Sequence, residues 1–305
     1  MKINSFDTLE KQMSQRPPLR VSVAGADDSR VLAAMSDAAE RGQIAKAILV
    51  GNAAEIRRLI PAALAGYAEI IDARAAETCA AKAVAAIRQG DADVVVKGHI
   101  NSTPYLRAVV NKDTGLRQSG TLSNLTLAQM PSLDRLVGAT DNGIIVLPTL
   151  AQKRAILQNC RALFAGLGNK VPRVAAIAAT EKVSDRQPAT TDAAALTAES
   201  LRGDFGGMCV DGPFGYDVAV SDAAAQAKGL TNSQVAGRAD LILFPNIEAG
   251  NATVKAWKFH GQARTASIVL GATVPVLLNS RSDGVEQRRL GLLLAQAVIA
   301  GLKRV

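Results

Sequence analysis

VAGRADLILFPNIEAGNATVK (residues 235–255) and GATVPVLLNSRSDGVEQRR (residues 271–289) share one form: a short apolar run that breaks off into polar and charged residues. The run 241–245 leads into Asn246, Glu248 and Asn251. The run 274–278 leads into Asn279, Ser280, Arg281 and Asp283. A continuous apolar run reads as a strand buried on both faces, as in a parallel sheet. In open α/β sheets ligands sit just beyond the carboxyl ends of such strands. The two polar clusters therefore stand where a site is expected.

The same rhythm extends toward the N-terminus. Strands are expected over 20–24, 47–50, 68–72 and 93–97, separated by helices over 29–41, from 51 and over 75–89. This alternation specifies a layered α/β fold around a parallel sheet. Further strands are expected over 122–130, 141–148, 173–178 and 208–213. Helices are expected over 150–167 and 190–198, with a last, amphipathic helix over 285–303 that packs back on the first domain. A second domain begins near residue 138. GNKVPR and ARTAS read as surface loops. The first turn, AGADDSR, contains neither GxGxxG nor GxxxxGK[ST], so no dinucleotide or P-loop site is signalled.

At 305 residues the chain is long enough for two α/β domains. A hydrophobic fraction of 48% with 20% charged residues fits a soluble globular protein. Aromatic residues make up 3%, too few for a single-strand stacking platform, and the basic residues are dispersed, so nucleic acid is not an expected partner. The net charge of +8 serves solubility or attracts a polyanionic small ligand. Cys79, Cys160 and Cys209 are isolated fillers of a reducing compartment. There is no signal-peptide pattern and no run of about 20 apolar residues. A cytoplasmic location with no membrane contact follows.

Each candidate residue has a structural alternative. Ser102 or Thr103 caps a helix with Pro104 in its first turn, or that helix start holds an anion together with Lys97 and Asn101. His99 is a pocket liner; His260 is a surface residue. Asp211 lies in a DGP turn. Glu248 contacts a ligand or caps a helix, and Gly250 lets backbone approach a ligand. Arg281 offers a fixed fork of donors to phosphate or a polarised carbonyl, with the Ser280 hydroxyl beside it. Asp283 and Glu286 have the Asp-x-x-Glu spacing of a capping box, a role compatible with general-base chemistry. No His/Cys/carboxylate spacing suggests a metal.

Together, KGHINS (97–102), LRAVVNKDTGLR (106–117), DGPFGYD (211–217), VAGRADLILFPNIEAGN (235–251) and VPVLLNSRSD (274–283) resemble the phosphate acetyl/butyryltransferase family, from about residue 21 onward. LNSRSD is similar to the LTSRAD-like text of the butyryl-type branch. The resemblance implies two layered α/β domains with an interdomain cleft, in the isocitrate/isopropylmalate-dehydrogenase-like architecture: residues 1–137 plus 279–305, and residues 138–278. It implies a phosphate acyltransferase that interconverts acyl-CoA plus phosphate and acyl phosphate plus CoA, with a short acyl group such as acetyl or butyryl. Coenzyme A would be a substrate, with no tightly bound cofactor, and the chain a homodimer or larger homo-oligomer. The family's serine–arginine pair carries over to Ser280 and Arg281. The aspartate of the acetyl branch falls on Gln287, so Asp283 or Glu286 takes the role of base. Lys97, His99, Asn101, Ser102, Thr103, Asp211, Asn246, Glu248 and Asn251 are the expected substrate-binding residues. The chain departs from the butyryl-type pattern at 119–124, where basic residues and a histidine are replaced by SGTLSN, and at Ile145, where an asparagine is expected. These departures motivate an alternative, a non-catalytic CoA- or small-anion-binding or regulatory protein of the same fold. A metal- and NAD-dependent dehydrogenase of this architecture would need clustered carboxylates that the sequence supplies poorly.

Overall fold

The computed structural model describes residues 2–118, 120–280 and 283–304. Among the described residues the strands are, in chain order, β1 (Leu19–Ala24), β2 (Ile44–Gly51), β3 (Ala68–Asp72), β4 (Val94–Lys97), β5 (Ser123–Gln129), β6 (Leu136–Thr140), β7 (Arg173–Ile177), β8 (Cys209–Phe214), β9 (Leu241–Leu243), β10 (Arg264–Leu270) and β11 (Val276–Leu277). The chain forms two compact units. The first comprises Asp7–Leu122 and Ala266–Ala300; the second comprises Met1–Phe6, Ser123–Thr265 and Gly301–Val305. Among the described residues no helix is long and apolar enough to cross a membrane.

The first unit orders its strands β3-β2-β1-β4-β11-β10. All neighbours are parallel except β10, which runs antiparallel to β11. The valines and leucines of β1, β4 and β11 are fully or almost fully buried, as two-sided burial of an apolar run requires. Asp28 accepts the backbone N–H groups of Arg30 and Val31, which starts the helix Ser29–Glu40. Tyr105, from the helix Ser102–Val110, is wholly buried. Its hydroxyl lies 3.0 Å from the Val95 carbonyl and 3.1 Å from that of Leu277, so it bridges β4 and β11. The helix Val285–Leu302 is seated by Arg289, whose guanidinium reaches Glu10 and Asp37 at 2.9 Å each.

The second unit orders its strands β5-β6-β9-β7-β8. β6, β9, β7 and β8 are parallel, and β5 runs antiparallel to β6. Its core gathers Val137, Ala175, Ile242, Phe244 and Trp257. A reciprocal capping box between Thr149 and Gln152 starts the helix Leu150–Gly166. Before β9, the buried Asp240 takes Lys2 Nζ at 2.7 Å, the Arg173 backbone N–H at 3.0 Å and Arg173 Nε at 3.1 Å. Burial alone would raise the Asp240 pKa. The bonds from Arg173 and Lys2 outweigh it and hold the carboxyl below its ordinary range.

Several expectations are corrected. The chain passes between units at 6/7, 122/123, 265/266 and 300/301, where 137/138 and 278/279 were expected; β5 falls with β6, its pairing partner. The segment 141–148 is not a strand; β6 precedes it. The Asp141 carboxylate accepts the N–H groups of Gly143, Ile144 and Ile145 and closes a turn that leaves Val146 and Leu147 exposed. ARTAS is not a surface loop but the start of β10, with Thr265 and Ala266 buried. Asn101, not Ser102 or Thr103, occupies the N-cap of its helix.

Candidate active site

In the first unit β1 leads to β2 and β3 on one side, while β4 lies on the other. The sheet therefore has its topological switch between β1 and β4. In open α/β sheets ligands bind at such a switch, beyond the carboxyl ends of the strands. Ala24 is in register with Lys97, and Val96 with Leu277, so the loops after β1, β4 and β11 emerge side by side. The first two are stitched together: the N–H of Gly98 donates to the Ala24 carbonyl at 2.8 Å and that of His99 to Gly25 at 2.7 Å. A Cβ at Gly98 would come within 2.0 Å of the Gly25 carbonyl oxygen, so only glycine allows this approach.

This end of the first unit brings together Lys97, His99, Asn101, Ser102, Thr103, Ser280, Asp283 and Glu286. Lys97 is 3% exposed, and its ammonium lies 3.1 Å from the Ile100 carbonyl and 3.3 Å from that of Gly98. His99, Asn101, Ser102 and Thr103 are exposed on the loop and the helix start that follow. Pro104 has no N–H, which leaves the donors of Ser102 and Thr103 at the positive end of the helix.

The loop after β11 is built around Ser280. Its N–H donates to the Asp283 carboxylate at 2.8 Å, and its carbonyl accepts the Asp283 N–H at 3.1 Å. Arg288 Nη2 donates to the Ser280 carbonyl at 3.2 Å and Arg288 Nε to that of Asp283 at 3.3 Å. Asp283 thus folds the loop onto itself. The capping-box expectation is corrected here: Gly284 donates its N–H to the Gln287 side chain at 3.1 Å, so Gln287 closes the helix start. Glu286 is exposed on the first turn of Val285–Leu302. Arg281 lies outside the described residues.

Arg288 had no signal in the sequence that separated it from other helix cations. It is 5% exposed, and its Nη1 is buried with no hydrogen-bond partner among the described residues. Burial lowers its pKa, with Asp283 and Asp28 acting in the opposite direction. Its two partners lie five and eight residues back along the chain, across a turn that no helical periodicity encodes.

The remaining expected residues belong to the second unit. Asn246 caps the helix Ile247–Phe259 by accepting the Ala249 N–H at 2.9 Å, and Glu248 is exposed in its first turn. Asn251 donates to the Asn142 carbonyl at 3.1 Å. Gly250 meets protein rather than ligand: a Cβ there would sit 2.7 Å from the Asp141 carbonyl oxygen. Asp211 lies within β8 rather than in a turn, and takes the Ser233 hydroxyl at 2.5 Å. Asn246 also lines a cavity of about 760 Å³ at the carboxyl ends of β7 and β9, walled by Ile177, Pro188 and Pro245. The buried Lys153 pairs with Asp192 there at 2.7 Å. Sequence reading missed this pair, because its members lie 39 residues apart on different helices.

The fold is shared with known proteins. A branched-chain phosphotransacylase from Enterococcus faecalis V583 superposes with a TM-score of 0.81 at 24% identity, over 92% of this chain and 99% of that one. A 4-hydroxythreonine-4-phosphate dehydrogenase from Klebsiella pneumoniae superposes with a TM-score of 0.54 at 12% identity, over 92% and 99%. The class is therefore the α/β architecture common to phosphotransacylases and this dehydrogenase. In sequence, the phosphate butyryltransferase of Clostridium acetobutylicum is 38% identical over 306 residues, 99% of this chain and 100% of that protein. The family model described as phosphate acetyl/butaryl transferase matches residues 73–292. The chain belongs to the phosphate acetyl/butyryl transferase family.

Proposed function

We propose that this protein is a phosphate acyltransferase that converts acyl phosphate and coenzyme A into acyl-CoA and phosphate, and the reverse, with a short acyl group. The observation that carries the reading is the Ser280 loop, held by Asp283 and Arg288 at the carboxyl end of β11, beside the buried ammonium of Lys97. Family membership supplies the reaction class. Nothing in the site favours the non-catalytic alternative.

In this mechanism the CoA sulfur attacks the acyl carbon. The C–S bond forms, the bond from that carbon to the phosphate oxygen breaks, and the thiol proton passes through a carboxylate to the departing phosphate. Asp283 is already engaged with the Ser280 N–H, which makes it a positioning residue and leaves Glu286 to carry the proton. Ser280 orients the sulfur. Arg281, carried over from the family, stabilises the oxyanion of the tetrahedral intermediate. Lys97 and the N–H groups of Ser102 and Thr103 hold the phosphate. Coenzyme A and the acyl phosphate are the organic partners this chemistry needs, and no tightly bound cofactor is invoked. A cytoplasmic location suits that substrate and the free Cys79, Cys160 and Cys209. A homodimer or larger assembly rests on the family resemblance.

The test is thiol release from an acyl-CoA series by phosphate or arsenate. Turnover with at least one short acyl-CoA, reduced about 100-fold or more in Arg281→Ala, supports the reading. Absence of turnover with every acyl chain, or wild-type rates in that variant, defeats it.

A further inference from the structure

At the amino ends of β7 and β8, opposite to the strand ends described above, the second unit contains a cavity of about 440 Å³. Arg161, Lys170 and Arg304 line it, together with Asn169, Gly206 and Met208, and no aspartate or glutamate is among the lining residues. Part of this charge has a local explanation. Arg304 donates to the Ala165 carbonyl at 3.0 Å, which satisfies the C-terminal end of the helix Leu150–Gly166. Arg161 and Lys170 have no such account: neither side chain makes a hydrogen bond or ion pair with another described residue. The Arg161 guanidinium lies over Gly206, where a Cβ would come within 2.6 Å of its Cζ, and Gly206 has φ +57°. The backbone makes room for that charge without pairing it.

Three like charges around one concavity raise the potential there and select an anion of high charge density. Guanidinium and ammonium together suit phosphate groups, the first by its fork of donors and the second as a point charge. The volume falls in the range of small-molecule sites. We infer that this cavity binds a di- or polyphosphate anion, at a site separate from the one that handles acyl phosphate and phosphate.

The catalytic segment also takes phosphate under the proposed function, so the experiment separates the two. Inorganic pyrophosphate is titrated calorimetrically, at low ionic strength, into the full-length wild type, into Arg161→Gln/Lys170→Gln, and into the charge-matched Lys182→Gln/Arg186→Gln, whose positions are exposed elsewhere in the same unit. The first pair is expected to weaken one class of binding by about tenfold or more, since charge-assisted bonds are lost. The control pair is expected to change it less than about twofold, and thioester turnover is expected to be unaltered in both. The single variant Lys170→Glu, at an exposed position, reports the same loss if the double variant folds poorly. Equal weakening in both pairs, unchanged binding in Arg161→Gln/Lys170→Gln or Lys170→Glu, or no binding to the wild type overturns the inference. Turnover is scored separately, so failure of the acyltransferase reading leaves this result interpretable.

Discussion

Replacing Arg288 by methionine isolates what the buried guanidinium does. The two side chains share an unbranched stem, so packing along that stem is kept. The two bonds lost, at 3.2 and 3.3 Å, are long for N–H···O contacts, and each contributes about 1 kcal/mol. The loss is partly offset, because Arg288 is costly to bury and its Nη1 finds no partner among the described residues. The net destabilisation is about 1–2 kcal/mol, a fall in Tm of a few degrees for a chain of this size. Turnover responds more strongly. The carbonyls released belong to Ser280 and Asp283, and a displacement of about 1 Å at a reacting group costs about 100-fold. The expected result in steady-state thiol-release assays is a fall of that order in kcat, with KM for phosphate changed less than about threefold. Arg288→Lys, which can still reach one carbonyl, should recover part of the rate. A kcat within about threefold of wild type in a variant that shows the stability loss would refute the positioning role and leave Arg288 as a helix anchor only.

Three further outcomes are expected. Asp283→Asn keeps an oxygen for the Ser280 N–H and should retain most of the wild-type rate and its pH profile, whereas Glu286→Gln should lower kcat by about 100-fold or more and remove the acidic limb of that profile; the reverse pattern, from pH–rate curves of both, would reassign the base. Asp240→Asn should cost about 2 kcal/mol at pH 7 in urea unfolding, and because the folded-state pKa of Asp240 is depressed, that advantage of the wild type is present above about pH 4 and disappears as pH falls through the folded value. Tyr105→Phe keeps the shape of the β4–β11 junction but removes the hydroxyl that bridges its two strands, and thermal melts should show a loss of about 1 kcal/mol.

The central parallel strands were legible because two-sided burial writes itself as unbroken apolar text: the expected strand 93–97 differs from the fully buried β4 by one residue. β6 and β10 were not. Leu136–Thr140 carries a glycine and is short, whereas the following 144–148 is more apolar. Only the Asp141 carboxylate, taking three successive N–H groups, turns that segment away from the sheet. β10 opens on Arg264, Thr265 and Ala266, a polar beginning whose burial comes from its neighbours rather than from its own composition. For the candidate site, the carboxyl-end rule put Ser280 just beyond a strand, and β11 ends three residues before it. The rule said nothing of side-chain direction. Asp211 points to Ser233, 22 residues on, and Asn246 to its own helix, since hydrogen-bond partners of that kind depend on how the chain closes in space.

β4 obtains its second neighbour, β11, from a segment some 180 residues later in the sequence. As the nascent chain leaves the ribosome, the edge of β4 stays bare through the synthesis of nearly the whole intervening unit, and an uncovered strand edge is a template for intermolecular pairing. Translation speed and chaperone access between codons 97 and 276 should therefore govern the yield of active protein more than the stability of the finished molecule does.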